Sequence, residues 1–197
     1  MSKSFTKCVV LLLVMLLLFV FWGCKQKPAE KPKPVMPAIS VKELAPAKVV
    51  YLERQGPYSE TDKSFEELFT LMEKKNIQVS GAPMGIFYDD PEKVKPEETK
   101  YEVMCSFTGD FNGDADLQVK EQAGQKVVST IYIGPYEKCA PTYKKLYGWM
   151  MDNKYEVCGA SIEKYLNDPM KVKPEELKTE ICIPVKAATE EEKTEGE

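Results

Sequence analysis

Two glutamates stand beside apolar residues of predicted strands, where a carboxylate could bind a cation or act as a base. They are Glu102, which precedes Val103, and Glu180, which precedes Ile181. A carboxylate held among apolar side chains is costly unless it is paired, and a bound cation or a shared proton relieves that cost. Burial also raises the pKa of a glutamate toward the range that suits a general base. We therefore predict ligand-binding roles for Glu102 and Glu180, and a catalytic role for Glu180 if the protein is an enzyme. The alternative is that both face solvent or a cross-strand lysine.

Five aromatic residues could line a cleft beside such an acid. Tyr58 and Tyr136 each follow a Gly-Pro pair at the start of a helical pattern, where rings can stack on a flat ligand and hydroxyls can form hydrogen bonds. Trp149 lies one position off the apolar stripe of its helix, so its ring could contact a ligand cation. Phe87 and Tyr165 occupy equivalent places on two predicted strands. The alternative for these residues is packing in turns and in the core.

The chain contains two copies of one pattern, offset by 78 residues. Gly-Pro-Tyr at 56–58 recurs at 134–136, Gly-Ala at 81–82 recurs at 159–160, Asp-Pro at 90–91 recurs at 168–169, and the Lys/Pro/Glu segment 93–98 recurs at 171–176. A constant offset through turns, helix and strands indicates duplication, and its length excludes a solenoid repeat. We predict one domain, 39–186, with halves 41–107 and 119–185. Similar halves leave a groove where small ligands commonly bind, although the duplication could also serve only to build a symmetric core.

Each half predicts a strand–helix–strand–strand unit, which makes the fold class α+β. In the first half the apolar patterns predict strands at 41–43, 47–55, 84–89 and 101–107 and a helix from a capping box at Ser59 and Asp62 to Lys75. In the second half they predict strands at 117–121, 126–133, 156–166 and 179–185 and a helix at 138–153. The Gly/Asp-rich segment 108–115 connects the halves.

Composition excludes several classes of function. The 197-residue chain has no histidine, which excludes Ser–His or Cys–His catalysis, His-ligated zinc and a His-ligated haem. We expect no metal and no cofactor. The net charge of −4 and the lack of a helix-turn-helix pattern exclude a nucleic-acid partner. We expect a monomer whose cysteines are mostly small buried hydrophobes, with disulfides left open: these are Cys105, Cys139, Cys158 and Cys182.

The N-terminal segment predicts export. Residues 1–23 carry two early lysines and a short apolar run that ends at Gly23, which is typical of a signal peptide. Cys24 resembles the cysteine of a bacterial lipobox, which becomes a lipid anchor. An uncleaved anchor helix and an ordinary secretory signal are the alternatives, and all three place the domain outside the cytoplasm, attached to a membrane or released from it. Residues 24–38 predict a Lys/Pro-rich spacer and residues 187–197 an acidic disordered tail.

The duplicated unit resembles the GyrI-like small-molecule-binding family, the effector-binding domains also found in bacterial multidrug regulators. The resemblance rests on Gly-Pro-Tyr before each helix, on Asn167-Asp168-Pro169 and on the closing strand 179–185, and it covers roughly residues 41–186. It implies one antiparallel sheet with two helices on one face and a ligand cleft between them. It also implies hydrophobic, aromatic or cationic ligands, with an acidic residue and aromatic rings lining the cleft.

Three functions follow as hypotheses. The first is a membrane-tethered module that binds such ligands, with Glu180 as counter-ion. The second is a hydrolase of electrophilic small molecules, which some members of the family resemble, with Glu180 activating water. The third is an envelope domain that docks another protein. Inhibition of DNA gyrase, the role of a further branch of the family, requires the cytosol and conflicts with the predicted export.

Overall fold

The computed structural model describes residues 38–188, which fold as two copies of one unit. The first copy contains β1 Ser40–Leu44, β2 Ala47–Gln55, α1 Thr61–Lys74, β3 Gln78–Val79, β4 Met84–Phe87 and β5 Lys100–Thr108. The second contains β6 Gln118–Gln122, β7 Gln125–Ile133, α2 Ala140–Asp152, β8 Tyr155–Val157, β9 Ser161–Tyr165 and β10 Lys178–Ala187. The bounds of β6 and β7 are those of β1 and β2 shifted by 78 residues, so the folded elements carry the offset seen in the sequence.

The predicted signal peptide, Cys24 and nearly all of the spacer and acidic tail lie outside the described residues. Between residues 38 and 188, no helix combines the length and apolar character needed to cross a membrane.

The strands form one antiparallel sheet in the order β1-β7-β10-β9-β4-β5-β2-β6, with β3 added to β5 and β8 to β10. The central pair β4–β9 joins the two halves. The halves also exchange their first strands, because β1 pairs with β7 and β6 pairs with β2. This arrangement confirms the predicted fold class, an antiparallel sheet with two helices.

Apolar side chains cover both faces of the sheet. On one face α1 packs Leu68 and Met72 against β5, and α2 packs Leu146 and Met150 against β10. On the opposite face a separate apolar cluster gathers residues of β4, β5, β9 and β10 around Met104. Side chains alternate between faces along a strand, so odd-numbered residues of β5, β9 and β10 point toward the helices and even-numbered ones point away. This alternation decides which residues can meet at a site.

The turns before the helices differ from the prediction. The capping box at Ser59 and Asp62 is wrong: a 3-10 turn precedes Thr61, whose hydroxyl donates to the Tyr58 carbonyl over 2.7 Å, and no side chain caps the helix. Gly56 and Gly134 have φ values of +145° and +142°, which side-chain-bearing residues rarely adopt. The turn therefore requires glycine at both places.

The predicted strand at 156–166 is two strands, β8 and β9. Val157 pairs with Val185 and Ile162 pairs with Cys182. The four residues 158–161 between β8 and β9 therefore lie against only two residues of β10, 183–184. An excess of this kind is a bulge, which bends the strand and changes its partner contacts.

Candidate functional site

Glu163 is a carboxylate buried on the helix side of the central strand β9, with only 8% of its surface exposed. The Tyr143 hydroxyl, from α2, donates to Oε1 over 2.8 Å, and the Tyr165 hydroxyl, from β9, donates to Oε2 over 3.0 Å. The Cys139 thiol lies 3.9 Å from Oε1. The carboxylate is thus held by neutral donors from two elements.

Among residues 38–188, the hydrogen-bond partners of the Glu163 carboxylate include no lysine or arginine. Burial raises the pKa of the Glu163 carboxyl above its ordinary range, while the two tyrosine hydrogen bonds act in the lowering direction. Burial and the neighbouring carboxylate raise the pKa values of Tyr143 and Tyr165, and they raise that of Cys139 to about 12. These three groups therefore keep their protons and act as donors at neutral pH.

Aromatic rings from both halves pack against Tyr165, one of the two tyrosines bonded to this carboxylate. Tyr165 packs edge-on against Phe65 of α1, with centroids 5.3 Å apart, and against Tyr136, with centroids 5.2 Å apart. We call Glu163, Tyr143, Tyr165, Tyr136 and Phe65 the acid–aromatic cluster. Because Phe65 comes from α1 and Tyr143 from α2, the cluster receives side chains from both helices. An aromatic surface beside a carboxylate suits a flat or cationic ligand.

A second group of rings occupies the equivalent place in the first half. Tyr58 packs edge-on against Phe87 at 4.9 Å and against Tyr101 at 5.8 Å. The Tyr58 hydroxyl is bonded to the backbone of Asp89 at both its amide and its carbonyl. Gly85 stands where the second half has Glu163, so this group of rings has no acid. The candidate site is therefore asymmetric although the fold is not.

The structure brings together some predicted site residues and separates others. Tyr136 and Tyr165 belong to the acid–aromatic cluster, and Tyr58 and Phe87 pack together in the first half. Trp149 lies elsewhere: its ring stacks on Tyr155 at 5.9 Å within the core of the second half.

Glu102 and Glu180 lie on the face of the sheet opposite the helices. Glu180 Oε1 accepts from Lys42 Nζ over 2.6 Å, and Glu102 forms an ion pair with Lys120. Lys42 and Lys120 are 78 residues apart, as the glutamates are, so the pairing repeats in both halves. The structure shows the lysine partners that the sequence left open, and it places both glutamates away from the acid–aromatic cluster. Their predicted ligand-binding role stays a prediction.

Sequence reasoning missed Glu163, although the repeat marks it. Most equivalent positions keep their chemical type, whereas here Glu163 replaces Gly85 and, at the next position, Lys164 replaces Ile86. A Cβ added to Gly85 would come within 2.8 Å of the Phe87 ring, so the first half has no room for a side chain there. Comparing the two halves for positions that break the symmetry would have found the acid.

Within the part of the chain that the structure describes, no three His, Cys, Asp or Glu side chains lie close enough together to hold a metal ion. The four cysteines there are free thiols, with Cys105 and Cys182 buried, Cys139 half-buried and Cys158 exposed.

The duplicated sheet, its two helices and a buried acid among aromatic rings define a small-molecule-binding domain. Residues 37–186 match the GyrI-like small molecule binding domain, so the chain belongs to that family, as its sequence predicted.

Two relatives are called DNA gyrase inhibitor. The protein from Citrobacter rodentium (strain ICC168) is 28% identical over 119 residues, which cover 57% of this chain and 75% of that protein. The protein from Erwinia billingiae (strain Eb661) is 26% identical over 157 residues, which cover 76% of this chain and 98% of that protein. Among solved structures, the EcmrR C-terminal domain has a TM-score of 0.69 at 19% identity and covers 77% of this chain and 99% of its own. That likeness concerns the fold.

Proposed function

We propose that the protein binds hydrophobic, aromatic or cationic small molecules at the acid–aromatic cluster, with Glu163 as the counter-ion. The observation that carries the proposal is the buried Glu163 carboxylate, whose partners within residues 38–188 are two phenols and a thiol, with no lysine or arginine among them. A buried charge without a partner of opposite sign is costly, and a ligand cation would remove that cost. Membership of a small-molecule-binding family supports the proposal.

The surrounding rings favour the same class of ligand. The rings of Phe65 and Tyr136 pack edge-on against Tyr165, which is hydrogen-bonded to Glu163, and an aromatic face attracts a cation in addition to burying apolar surface. Tyr143 and Tyr165 keep the carboxylate in place by their hydrogen bonds, so little order has to be gained when a ligand binds. A ligand that combines a positive charge with an apolar body would use every part of the cluster.

We test the proposal by calorimetry with phenyltrimethylammonium and its neutral isostere tert-butylbenzene. Wild-type protein should bind the cation at least about tenfold more tightly, which corresponds to about 1.4 kcal/mol. Glu163→Gln keeps an oxygen that can accept a hydrogen bond and should lose this preference. The matched control Glu180→Gln should keep it, because Glu180 lies on the opposite face and is bonded to Lys42. An unchanged preference in Glu163→Gln would refute the proposal.

The second candidate function is a glutamate-assisted hydrolase of electrophilic small molecules. The observation that favours it is the raised pKa of Glu163, since a glutamate with a raised pKa is a better general base near neutral pH. Incubation with strained electrophiles and mass spectrometry of the products decides the matter: hydrolysis by the wild type that is lost in Glu163→Gln indicates an enzyme. Binding of the same compounds without any product indicates a binding module.

We also propose that binding takes place at the bacterial cell envelope, with residues 1–23 directing export and Cys24 bearing a lipid. This proposal rests on the sequence pattern alone. A Cys24→Ser variant should lose metabolic labelling with a fatty acid and leave the membrane fraction. Labelling that persists in the variant would contradict lipidation at Cys24.

A further inference from the structure

A cavity lies on the face of the sheet opposite the helices, separate from the acid–aromatic cluster. Its volume is about 230 Å³. It lies where the turns at 45–46 and 123–124 approach strands β4, β5 and β9. Its apolar lining comes chiefly from Leu44, Ala82, Met84, Ile86, Met104 and Ile162. Even-numbered residues of β4 and β9 line the cavity, whereas Glu163 points toward the helices. The cavity and the acid–aromatic cluster are therefore built from different side chains.

Comparison of the two halves shows where the cavity lining departs from the symmetry of the fold. Gly81 in the first half faces Ser106, whereas the equivalent Gly159 in the second half faces Pro184, whose ring atoms lie 3.2 and 3.3 Å from where a Cβ of Gly159 would be. The chain also has Ala47 where the second half has Gln125. Ser106 and Ala47 both line the cavity and are smaller than their counterparts Pro184 and Gln125, and Gln125 lines the same cavity from the other half. The lining thus combines residues of both halves that differ at equivalent positions.

Lys164 gives this apolar cavity a single charged group. Lys164 lines the cavity and is half-buried, and it forms no ion pair with any residue between 38 and 188. Glu180 lies opposite Lys164 in the strand register, but its carboxylate is bonded to Lys42. The equivalent of Lys164 in the first half is Ile86, so the fold does not need a lysine at this place. A lysine in the wall of an apolar cavity fits an anion with an apolar body.

We propose that this cavity is a second ligand site, which takes a small apolar monocarboxylate with its carboxylate on Lys164. An apolar cavity of about 150 Å³ is large enough for benzene, whereas drug-sized ligands usually need about 300 Å³ or more. The volume here lies between these limits, which suits an aromatic acid of one ring or a short aliphatic acid. The ligand has the opposite charge to that proposed for Glu163, so the two sites select different molecules.

Methionine methyl NMR on the full chain tests this site with benzoate as the probe. Met84 and Met104 line the cavity, while Met72 and Met150 lie in the helix-side cores and serve as internal controls. Benzoate should shift the methyl signals of Met84 and Met104 saturably and leave those of Met72 and Met150 in place. Neutral benzamide should bind at least about tenfold more weakly, because it lacks the charge that pairs with Lys164.

Two variants separate the charge from the space. Lys164→Met should remove the preference for benzoate over benzamide, and Ala47→Gln, which copies the second half, should weaken binding of both by filling the cavity. Glu163→Gln should leave the benzoate response unchanged, so this test stands or fails apart from the proposed function. Absence of shifts at Met84 and Met104, equal affinity for the two probes, or a benzoate response that depends on Glu163 would each overturn the proposal.

Discussion

At the scale of single residues, Glu163 shows how a buried charge can be tolerated without a cation. Two phenols donate to its two oxygens, and hydrogen bonds to an ionised group are among the stronger ones in proteins. Even so, burial remains the largest influence on its pKa and acts in the raising direction. The residue therefore pays a residual cost in the unliganded protein, and that cost is what a bound cation would remove.

The raised pKa predicts how stability depends on pH. Because the folded protein binds the Glu163 proton more tightly than the unfolded chain does, this residue contributes fully to stability below its ordinary pKa of 4.5, and the contribution is lost as pH rises through the higher folded value. Urea unfolding at a series of pH values should show the wild type losing stability relative to Glu163→Gln from pH 4.5 upward. A constant difference between the two proteins across this window would contradict the prediction.

Two buried threonines predict opposite effects of one substitution. The Thr179 hydroxyl is buried and makes no hydrogen bond within residues 38–188, whereas the Thr99 hydroxyl shares its one proton between the carbonyl oxygens of Gly56 and Pro96, at 2.7 and 2.9 Å. Thr179→Val should raise the free energy of unfolding by about 1 kcal/mol, and Thr99→Val should lower it by about 1–2 kcal/mol. Chemical denaturation measures both, and a loss of stability in Thr179→Val would show that its hydroxyl has a partner.

The sequence predicted two rings of the acid–aromatic cluster but not its acid, Glu163. Tyr136 and Tyr165 were predicted because they stand at conspicuous turns and strands of the repeat. Glu180 is predicted as the acid because it has apolar neighbours on the closing strand, where the resemblance implies an acidic group. In the structure Glu180 pairs with Lys42 as Glu102 pairs with Lys120, and a structural ion pair also recurs in both halves. Sequence alone does not show on which face of a doubly buried sheet a glutamate lies, since both faces are apolar.

At the scale of elements, the apolar periodicity was enough to predict both helices and the main strands, with ends displaced by a few residues. The periodicity fails where local geometry decides. The start of α1 was assigned to a capping box, but Gly-Pro-Tyr leads into a 3-10 turn that needs no side-chain cap. The break between β8 and β9 depends on how each pairs with β10, which is a contact distant in sequence.

Replacing glycine by alanine should have opposite effects at Gly85, on strand β4, and at Gly148, on helix α2. A Cβ at Gly85 would lie 2.8 and 2.9 Å from atoms of the Phe87 ring, whereas a Cβ at Gly148, exposed on α2, meets nothing within 4 Å. Gly85→Ala should lower the free energy of unfolding by about 1–3 kcal/mol, because the ring must move. Gly148→Ala should raise it by about 0.5–1 kcal/mol through helix propensity. Thermal and urea unfolding check both, and equal effects would show that Phe87 moves without cost.

At the scale of the whole molecule, duplication produced a fold in which neither half is complete. Each half receives its outer strand from the other, since β1 pairs with β7 and β6 with β2, and the central pair β4–β9 joins them again. Two copies of one unit also allow each to diverge. On one face of the sheet Glu163 takes the place that Gly85 has in the first copy, and on the other face Pro184 takes the place of Ser106. Both proposed ligand sites lie where the copies differ, while the elements that hold them are those the copies share.

The exchange of strands predicts that the halves do not fold alone. Cutting the chain between Leu117 and Gln118 gives fragments 38–117 and 118–188. Each fragment loses the outer strand that the other half supplies, and the pairing between β4 and β9 is lost as well. Exposed edges and uncovered apolar surface leave such fragments without a stable core. Each should therefore lack a cooperative unfolding transition in circular dichroism, and an equimolar mixture should restore one, since the same strands can pair between chains. A cooperative transition in either isolated fragment would mean that one unit is self-sufficient, and that the exchanged strands are an addition to the fold instead of a requirement for it.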